Sequence, residues 1–545
     1  MSFTAPVADQ RLVLRELVRV EERGPELDIV DAVLEGAAAL AEGEFAPLDR
    51  IGDTVGARWD NGIVRMPDGF KAAYQAFVEG GWMSLSAPEQ YGGQGLPLAL
   101  SAALMEDLQA ANTGFAMLPV LSMGAIEALH HHGSDQLKRD YLPRIVSGEW
   151  PATMNLTEPQ AGSDVGALKT RAEPNADGSW RVTGTKIYIT YGDHDLTEQI
   201  IHLVLARTPG APEGTRGISL FLVPRILPDG SRNDLRCVSI EHKLGIHASP
   251  TCVMSYGDEV GATGWMIGGE NQGMRAMFTM MNNARLNVGL QGVGIAERAT
   301  QRAVAFALDR RQSGVAIAEH PDVRRMLLRM RALTTAARAL AYYAFGQIDR
   351  GHGGDEVAAR RADVLTPLVK AWCTDVGCEV ASLGIQVHGG MGYIEETGAA
   401  QHLRDARIAP IYEGTNGIQA ADLVGRKLGL DGGLAFDGLL ADVEAEASDP
   451  ALIALTDAVE ISAATLREAS TEDRLAGSYP FLTMTAVMVA GWLVERLARS
   501  PQADDRTRAA AAFFVTNVVP EAIGLGMAAA NGAAMLYAVP AEALG

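Results

Sequence analysis

At 545 residues the chain is too long for one ordinary domain and predicts about three or four. Hydrophobic residues at 48% and charged residues at 21% fit a soluble protein with a large core. Lys and Arg total 46 against 67 Asp and Glu; the net charge of −21 argues against nucleic acid or an anionic membrane as the main partner, and leaves a phosphorylated ligand open. The opening "MSFTAPVADQRLVLRELV" has no apolar signal core and carries acidic residues, so neither a secretory nor a transit peptide is expected. Helical patches with Gly/Pro punctuation fill the first 150 residues, among them "RELVRVEERGPELDIVDAVLEGAAALAEGEFAPL" and the Gly-rich turn into a helix at "PEQYGGQGLPLALSAALMEDLQAAN". The texture then changes. "WRVTGTKIYITYG", "IIHLVLART" and "GISLFLVPRIL" are short, β-branched and bounded by Gly, Asp and Pro, as antiparallel strands are. Helix returns near residue 270 and persists to an alanine-rich tail after "GLDGGLAFDG". The expected domains are 1–150 helical, 151–270 β, 271–430 a helical bundle and 431–545 a helical extension, without an internal repeat.

Several tempting features carry no chemistry. Cys237, Cys252, Cys373 and Cys378 include no C-x-x-C pair and read as buried or free thiols in a reducing compartment. His130, His131 and His132 diverge by about 100° per helix position and cannot share one ion well, so no metal is expected. "GVGIAE" (292–297) lacks the third glycine and the preceding strand of a dinucleotide fingerprint, and reads as helix interior. The longest apolar run, "FLTMTAVMVAGWLV" (481–494), falls short of the ~20 residues of a bilayer span and reads as a buried helix.

One acidic residue stands out in "IAPIYEGTNGIQAADLVGRK". Glu413 follows an apolar approach, where a carboxylate is either a solvated loop residue or a general base whose pKa burial has raised. Elsewhere "TEPQAGSD" is a loop of small and hydroxylated residues able to bring backbone N–H groups close to a planar ligand and a pyrophosphate. In "KIYIT", strand alternation puts Tyr188 and Thr190 on one face and Ile187 and Ile189 on the other.

Taken in order, "MNLTEPQAGSDVG", "KIYITYG", "ALDRRQSG", "QVHGGMGY" and "IYEGTNGIQ" resemble the acyl-CoA dehydrogenase family of flavoproteins, from about residue 50 to 430. "EHKLGIHASPTC", "MMNNARLNVGLQG" and the helical tail resemble a longer bacterial branch, which includes enzymes of 3-(methylthio)propanoyl-CoA and broad-range acyl-CoA dehydrogenases. The resemblance implies an α+β fold with an N-terminal helical domain, a middle antiparallel β domain, a helical bundle and an additional C-terminal helical domain. It implies FAD-dependent α,β-dehydrogenation of an acyl-CoA thioester, Glu413 taking the α-proton and flavin N5 the β-hydride. An acyl-CoA oxidase and a DNA-associated flavoprotein of the same fold are the alternatives.

The same resemblance assigns further residues. Met154, Leu156 and Thr157 would line the isoalloxazine, Ser163 would meet pyrophosphate or CoA, and Tyr188 and Thr190 would cover the flavin. Tyr188 departs from the family's usual Trp. Arg310, Gln386 and Gly390 would reach the FAD of a neighbouring subunit, although Ser313 replaces a common Phe, and Gln312 and Thr415 would contact FAD. Asn282 and Arg285 would hold the CoA end, Tyr412 and Gly414 would flank the thioester, and Ala116, Pro119, Val120 and Met123 would face the acyl tail. His388 is expected to pack rather than to act as a second acid. An electron-transferring flavoprotein as acceptor, a homodimer with a tetramer possible, a cytoplasmic place in fatty acid β-oxidation, and no nucleic acid or membrane insertion complete the expectation.

Overall fold

The computed structural model describes residues 3–545. Its principal helices are α1 (Leu98–Ala111), α2 (Thr113–His132), α3 (Gly273–Asp309), α4 (Pro321–His352), α5 (Glu356–His388), α6 (Asn416–Asp422) and α7 (Ser478–Arg499). The chain divides into two compact units, one of Ala39–Leu96 and Ala111–Ala284, the other of Met1–Ala38, Pro97–Ala110 and Arg285–Gly545.

The first unit holds the main sheet and one hairpin. A hairpin of β1 (Arg58–Asp60) and β2 (Ile63–Arg65) turns at Asn61-Gly62, both with positive φ as a two-residue hairpin turn requires. The main sheet is built from β3 (Ala152–Asn155), β4 (Arg171–Pro174), β5 (Trp180–Thr190), β6 (Ile201–Ala206), β7 (Ser219–Pro224), β8 (Leu235–Ile240), β9 (Thr251–Tyr256) and β10 (Ala262–Ile267). Its order is β3-β6-β7-β10-β5-β9-β8, with β4 also on β5. Every pair is antiparallel except β3 with β6, which run parallel, so the sheet is not wholly antiparallel as expected. β6 and β7 are buried along their whole length, which explains their unbroken apolar sequences. Val182, Val204, Phe221, Met254 and Tyr256 pack in the core beside them.

Strand β5 corrects the expected alternation. Its register against β9 slips between Lys186 and Ile189, and Tyr188 takes φ 59. This β-bulge inserts one residue, so Ile189 is buried while Ile187 is only half-buried, and the two do not share a face. Tyr188 is thrown outward and is 59% exposed.

In the second unit α3, α4 and α5 are the long helices. The "GVGIAE" glycines lie inside α3, and packing accounts for Gly292: a Cβ there would sit 2.1 Å from the Cys373 carbonyl oxygen of α5. At Gly289 a Cβ would sit 2.5 Å from the Val369 side chain of α5 and 2.9 Å from its carbonyl oxygen. Residues 481–494 lie in α7 and are buried apart from the half-buried Thr483, as the sequence reading expected. All four cysteines are free.

A buried charge cluster ties this unit together. Arg338 of α4, with no exposed surface, donates to Glu106 of α1 and, at 2.8 Å, to Glu297 of α3. Tyr342 donates to the second Glu106 oxygen at 2.6 Å, and Arg331 reaches Glu297 at 2.7 Å. Although burial raises the Glu297 carboxyl, Arg331 and Arg338 hold it well below the usual carboxylate range. Arg338→Leu strands the buried Glu106 carboxylate without a cation and leaves Glu297 to Arg331 alone, and we expect it to lower stability by about 3–5 kcal/mol. Arg506→Ala, which loses an exposed pair with Asp9, should cost no more than about 1 kcal/mol. Urea unfolding of both variants measures the contrast.

Candidate active site

The loop before α6 carries Glu413. Glu413 (φ 58) and Gly414 (φ 83) are consecutive left-handed residues. For a glutamate that conformation costs on the order of 1 kcal/mol or more and persists only where neighbours over-determine it. Those neighbours are visible. Gln419 of α6 donates to the carbonyls of Glu413 (3.4 Å) and Gly414 (3.3 Å), and buried Arg285 of α3 reaches the Glu413 carbonyl at 3.5 Å. Thr415 caps α6 by accepting from the Ile418 N–H, and the Asn416 N–H closes the loop onto the Pro410 carbonyl.

Below the loop the Asn416 side chain is riveted to α5. Its amide nitrogen donates to the Ala371 carbonyl, to Thr374 and to Asp375 at 2.9 Å, while its oxygen accepts from Lys370 Nζ at 2.9 Å. Burial raises the Glu413 carboxyl above its ordinary range; the charges of Arg285 and Lys370 oppose this without cancelling it. Burial also lowers the Lys370 ammonium to about 7, against the support of Glu413 and Asp375. Tyr412, beside Glu413, is half-buried and donates to Gln291 of α3. An upward shift of the Glu413 carboxyl is the direction that a general base requires.

In the first unit the other sequence-assigned residues cluster on β3, the loop after it and the β5 bulge. Met154, Leu156, Thr157 and Thr190 are half-buried, and Ser163 and Tyr188 are exposed. The Ile187 N–H bonds the Thr157 carbonyl at 2.9 Å, fastening the loop to the bulge. Behind them lies an ion pair that the sequence reading missed. Lys186, fully buried, meets Glu158 at 2.8 Å and the Leu156 carbonyl at 3.0 Å. The exposed Tyr188, the half-buried apolar and hydroxyl side chains on β3 and its loop, and the open space at Gly162, where a Cβ would meet nothing, fit a planar flavin and its pyrophosphate.

The remaining assignments fall in distinct places. Arg310 and Gln312 are exposed at the hairpin of β11 (Arg311–Gln312) and β12 (Val315–Ala316), turned by Ser313-Gly314. Gln386, Gly389 and Gly390 are exposed at the end of α5, followed by exposed Met391, Tyr393 and Ile394. On α2, Ala116, Pro119 and Val120 are buried and Met123 is half-buried; Asn282 on α3 is exposed. His388 bonds the Gly384 carbonyl and stacks on Phe306, while His131 pairs with Glu127 and His132 with Thr279. Lys370 and Asp375 had no motif to mark them, and Lys186, though it opens "KIYITYG", was given no role there.

Comparison with known proteins identifies the class. Residues 31–149, 153–258 and 271–428 match the N-terminal, middle and C-terminal domains of acyl-CoA dehydrogenase. The fold is also that of an acyl-CoA dehydrogenase from Bacillus anthracis solved with FAD, with a TM-score of 0.77 at 22% identity, covering 95% of this chain and 89% of that one. The 3-methylmercaptopropionyl-CoA dehydrogenase of Ruegeria pomeroyi is 48% identical over 92% of each chain. The broad-specificity linear acyl-CoA dehydrogenase FadE5 of Mycobacterium tuberculosis is 33% identical over 95% of this chain and 96% of its own. The chain belongs to the acyl-CoA dehydrogenase family and is an FAD-dependent oxidoreductase acting on the CH–CH bond of acyl-CoA.

The Lys186–Glu158 pair makes a pH prediction. Burial raises the Glu158 carboxyl, but Lys186 and its hydrogen bonds bring it down to about 2. A carboxyl depressed on folding stabilises fully above its unfolded pKa of ~4.5, and that contribution disappears as pH falls toward 2. Glu158→Gln should therefore cost about 3–5 kcal/mol at pH 7, with the gap to wild type closing between pH 4.5 and 2. Denaturant unfolding across that range reads it directly.

Proposed function

We propose that this enzyme dehydrogenates saturated straight-chain acyl-CoA thioesters of short to medium length to trans-2-enoyl-CoA, tolerates a thioether in the chain, and uses Glu413 as its base. The observation that carries this reading is the Glu413 loop, a carboxyl raised by burial and held on a left-handed turn by Arg285, Gln419 and Asn416. Glu413 removes the α-proton, a step that its desolvation favours because a poorly solvated carboxylate is the stronger base. Below its pKa the carboxyl already holds a proton and the reaction stops. The chemistry that bound FAD supplies is acceptance of the β-hydrogen as hydride.

Met154, Leu156, Thr157, Tyr188 and Thr190 would hold the flavin ring, with Ser163 at the pyrophosphate or CoA and Thr415 as a further FAD contact. Asn282 and Arg285 would hold the CoA end, and Tyr412 and Gly414 the thioester. Arg310, Gln386 and Gly390 would reach the FAD of a second copy of the chain, in a homodimer or a tetramer, and Gln312 would contact FAD. Their exposure, together with that of Val315, Met391, Tyr393 and Ile394, supports such an interface. We infer a cytoplasmic enzyme of fatty acid β-oxidation with an electron-transferring flavoprotein as acceptor. Both Ser478–Arg499 and Asp505–Ala529 are long and apolar enough to cross a membrane, but the first is 78% buried within the fold, which favours a core helix.

Ala116 and Met123 would define the acyl end of the cavity, both of them uncharged. The relative from Ruegeria pomeroyi is named for a thioether substrate and that from Mycobacterium tuberculosis for linear ones, and both support an unbranched apolar chain.

Glu413→Gln should keep its FAD, read from the absorbance of the purified variant, while turnover falls at least ~100-fold, with Glu413→Asp in between. Near-normal turnover in the Gln variant sinks the assignment. For the substrate, kcat/KM across a straight-chain series should rise with length until the cavity ends, since each buried methylene contributes about 0.8 kcal/mol. A preference for a branched or dicarboxylyl thioester would overturn the acyl reading.

A further inference from the structure

The C-terminal extension reaches the catalytic loop. Tyr479, near the start of α7, donates its hydroxyl to Asp375 Oδ2 at 2.6 Å. The other Asp375 oxygen accepts from Asn416, whose own oxygen accepts from Lys370. The amide can sit only one way round in this chain, with its oxygen toward an ammonium and its nitrogen toward a carboxylate. Asn416 is 3% exposed and Lys370 not at all. Asn416 lies three residues beyond the base. A hydroxyl on the extension is thus linked, bond by bond, to the loop that holds Glu413.

We propose that Tyr479 is a positioning residue for the catalytic base: through Asp375 and Asn416 it holds the buried Lys370 ammonium in its charged form beneath the Glu413 loop, so the extension governs the pH at which the base ionises. The proposal rests on the reading of Glu413 as base. Lys370 contacts a neutral amide rather than a carboxylate, so its charge depends on anions nearby, Glu413 and Asp375, against burial and the like charge of Arg285. Asp375 is itself pushed up by burial, and the bonds from Tyr479 and Asn416 with the charges of Lys370 and Arg407 oppose that rise and favour its anion. Removing the tyrosine hydroxyl weakens that anion, which loosens the proton on Lys370, which in turn withdraws a positive charge from Glu413. The other charges acting here belong to Arg285, itself under Asp422 and Arg426. Arg285 is the rival: if it alone tunes the base, Lys370 and Tyr479 do nothing to the ionisation.

The test is the pH profile of kcat/KM for the FAD-loaded enzyme with butanoyl-CoA, comparing wild type, Tyr479→Phe, Lys370→Met and the double variant, with thermal midpoints measured alongside. The acidic limb reports the free enzyme's base. It should move to higher pH by about one unit in Lys370→Met, as expected for loss of a nearby opposite charge, and by less in Tyr479→Phe. In the double variant it should move no further than in Lys370→Met, because the tyrosine acts through the lysine. Limbs unmoved in both single variants, with only rate and thermal midpoint falling, would overturn the proposal and leave a structural brace. Additive shifts in the double variant would overturn the route through Lys370. Should Lys370→Met fail to fold, the limb of Tyr479→Phe decides alone, shifted in support or unmoved against. Near-normal turnover of Glu413→Gln would strike instead at the base assignment, a separate failure.

Discussion

The helical unit depends on one guanidinium. Arg338 sits without any solvent contact between Glu106 and Glu297, so α3, α4 and the sequence-distant α1 must meet in one geometry or bury charge unpaired. Glu297 is on α3, the helix that also carries Arg285 and Gln291. Twelve residues along a helix is roughly 18 Å of rigid rod, and its rotation is common to every residue on it. Fixing Glu297 therefore fixes the direction in which Arg285 meets the Glu413 carbonyl and Gln291 meets Tyr412. The glycines that let α3 touch the α5 backbone complete the constraint, because α5 brings Lys370 and Asp375.

Against that rigid frame the loop itself is strained. Two successive left-handed residues, the first a glutamate, would relax elsewhere if their carbonyls were not each bound by Gln419 and if Asn416 did not anchor the following turn. Nearly all of the interactions that hold the Glu413 loop act on backbone or on Asn416, and they leave the Glu413 carboxylate itself to the burial that raises its pKa.

Much of this was legible in the sequence and some was not, for reasons of range. The helical, β and helical order, the buried apolar run of α7 and the helical nature of "GVGIAE" follow from local periodicity, which residues a few positions apart express. Glu413 was legible as a motif. The parallel pairing of β3 with β6 was not, because each strand's pattern is silent about its partner's direction. Neither was the bulge at Tyr188, since a one-residue register slip leaves the alternation in "KIYIT" looking regular. Lys186 with Glu158, and Lys370 with Asp375 through Asn416, join residues distant in sequence, and a lysine destined for a dry interior reads like any surface lysine.

Helix α7 has a consequence for biosynthesis. By length and composition it would pass for a membrane anchor, and only tertiary burial removes it from water. On the ribosome it follows α1, α3, α4 and α5, and these, including the surface of α5 on which Tyr479 lands, have already left the exit tunnel when it emerges. While it waits for its partners, a segment so apolar exposes surface of the kind that makes partly folded chains aggregate. Placing it late in translation gives it a prefolded berth and shortens that wait, a protection that a circular permutant beginning at α7 would forfeit.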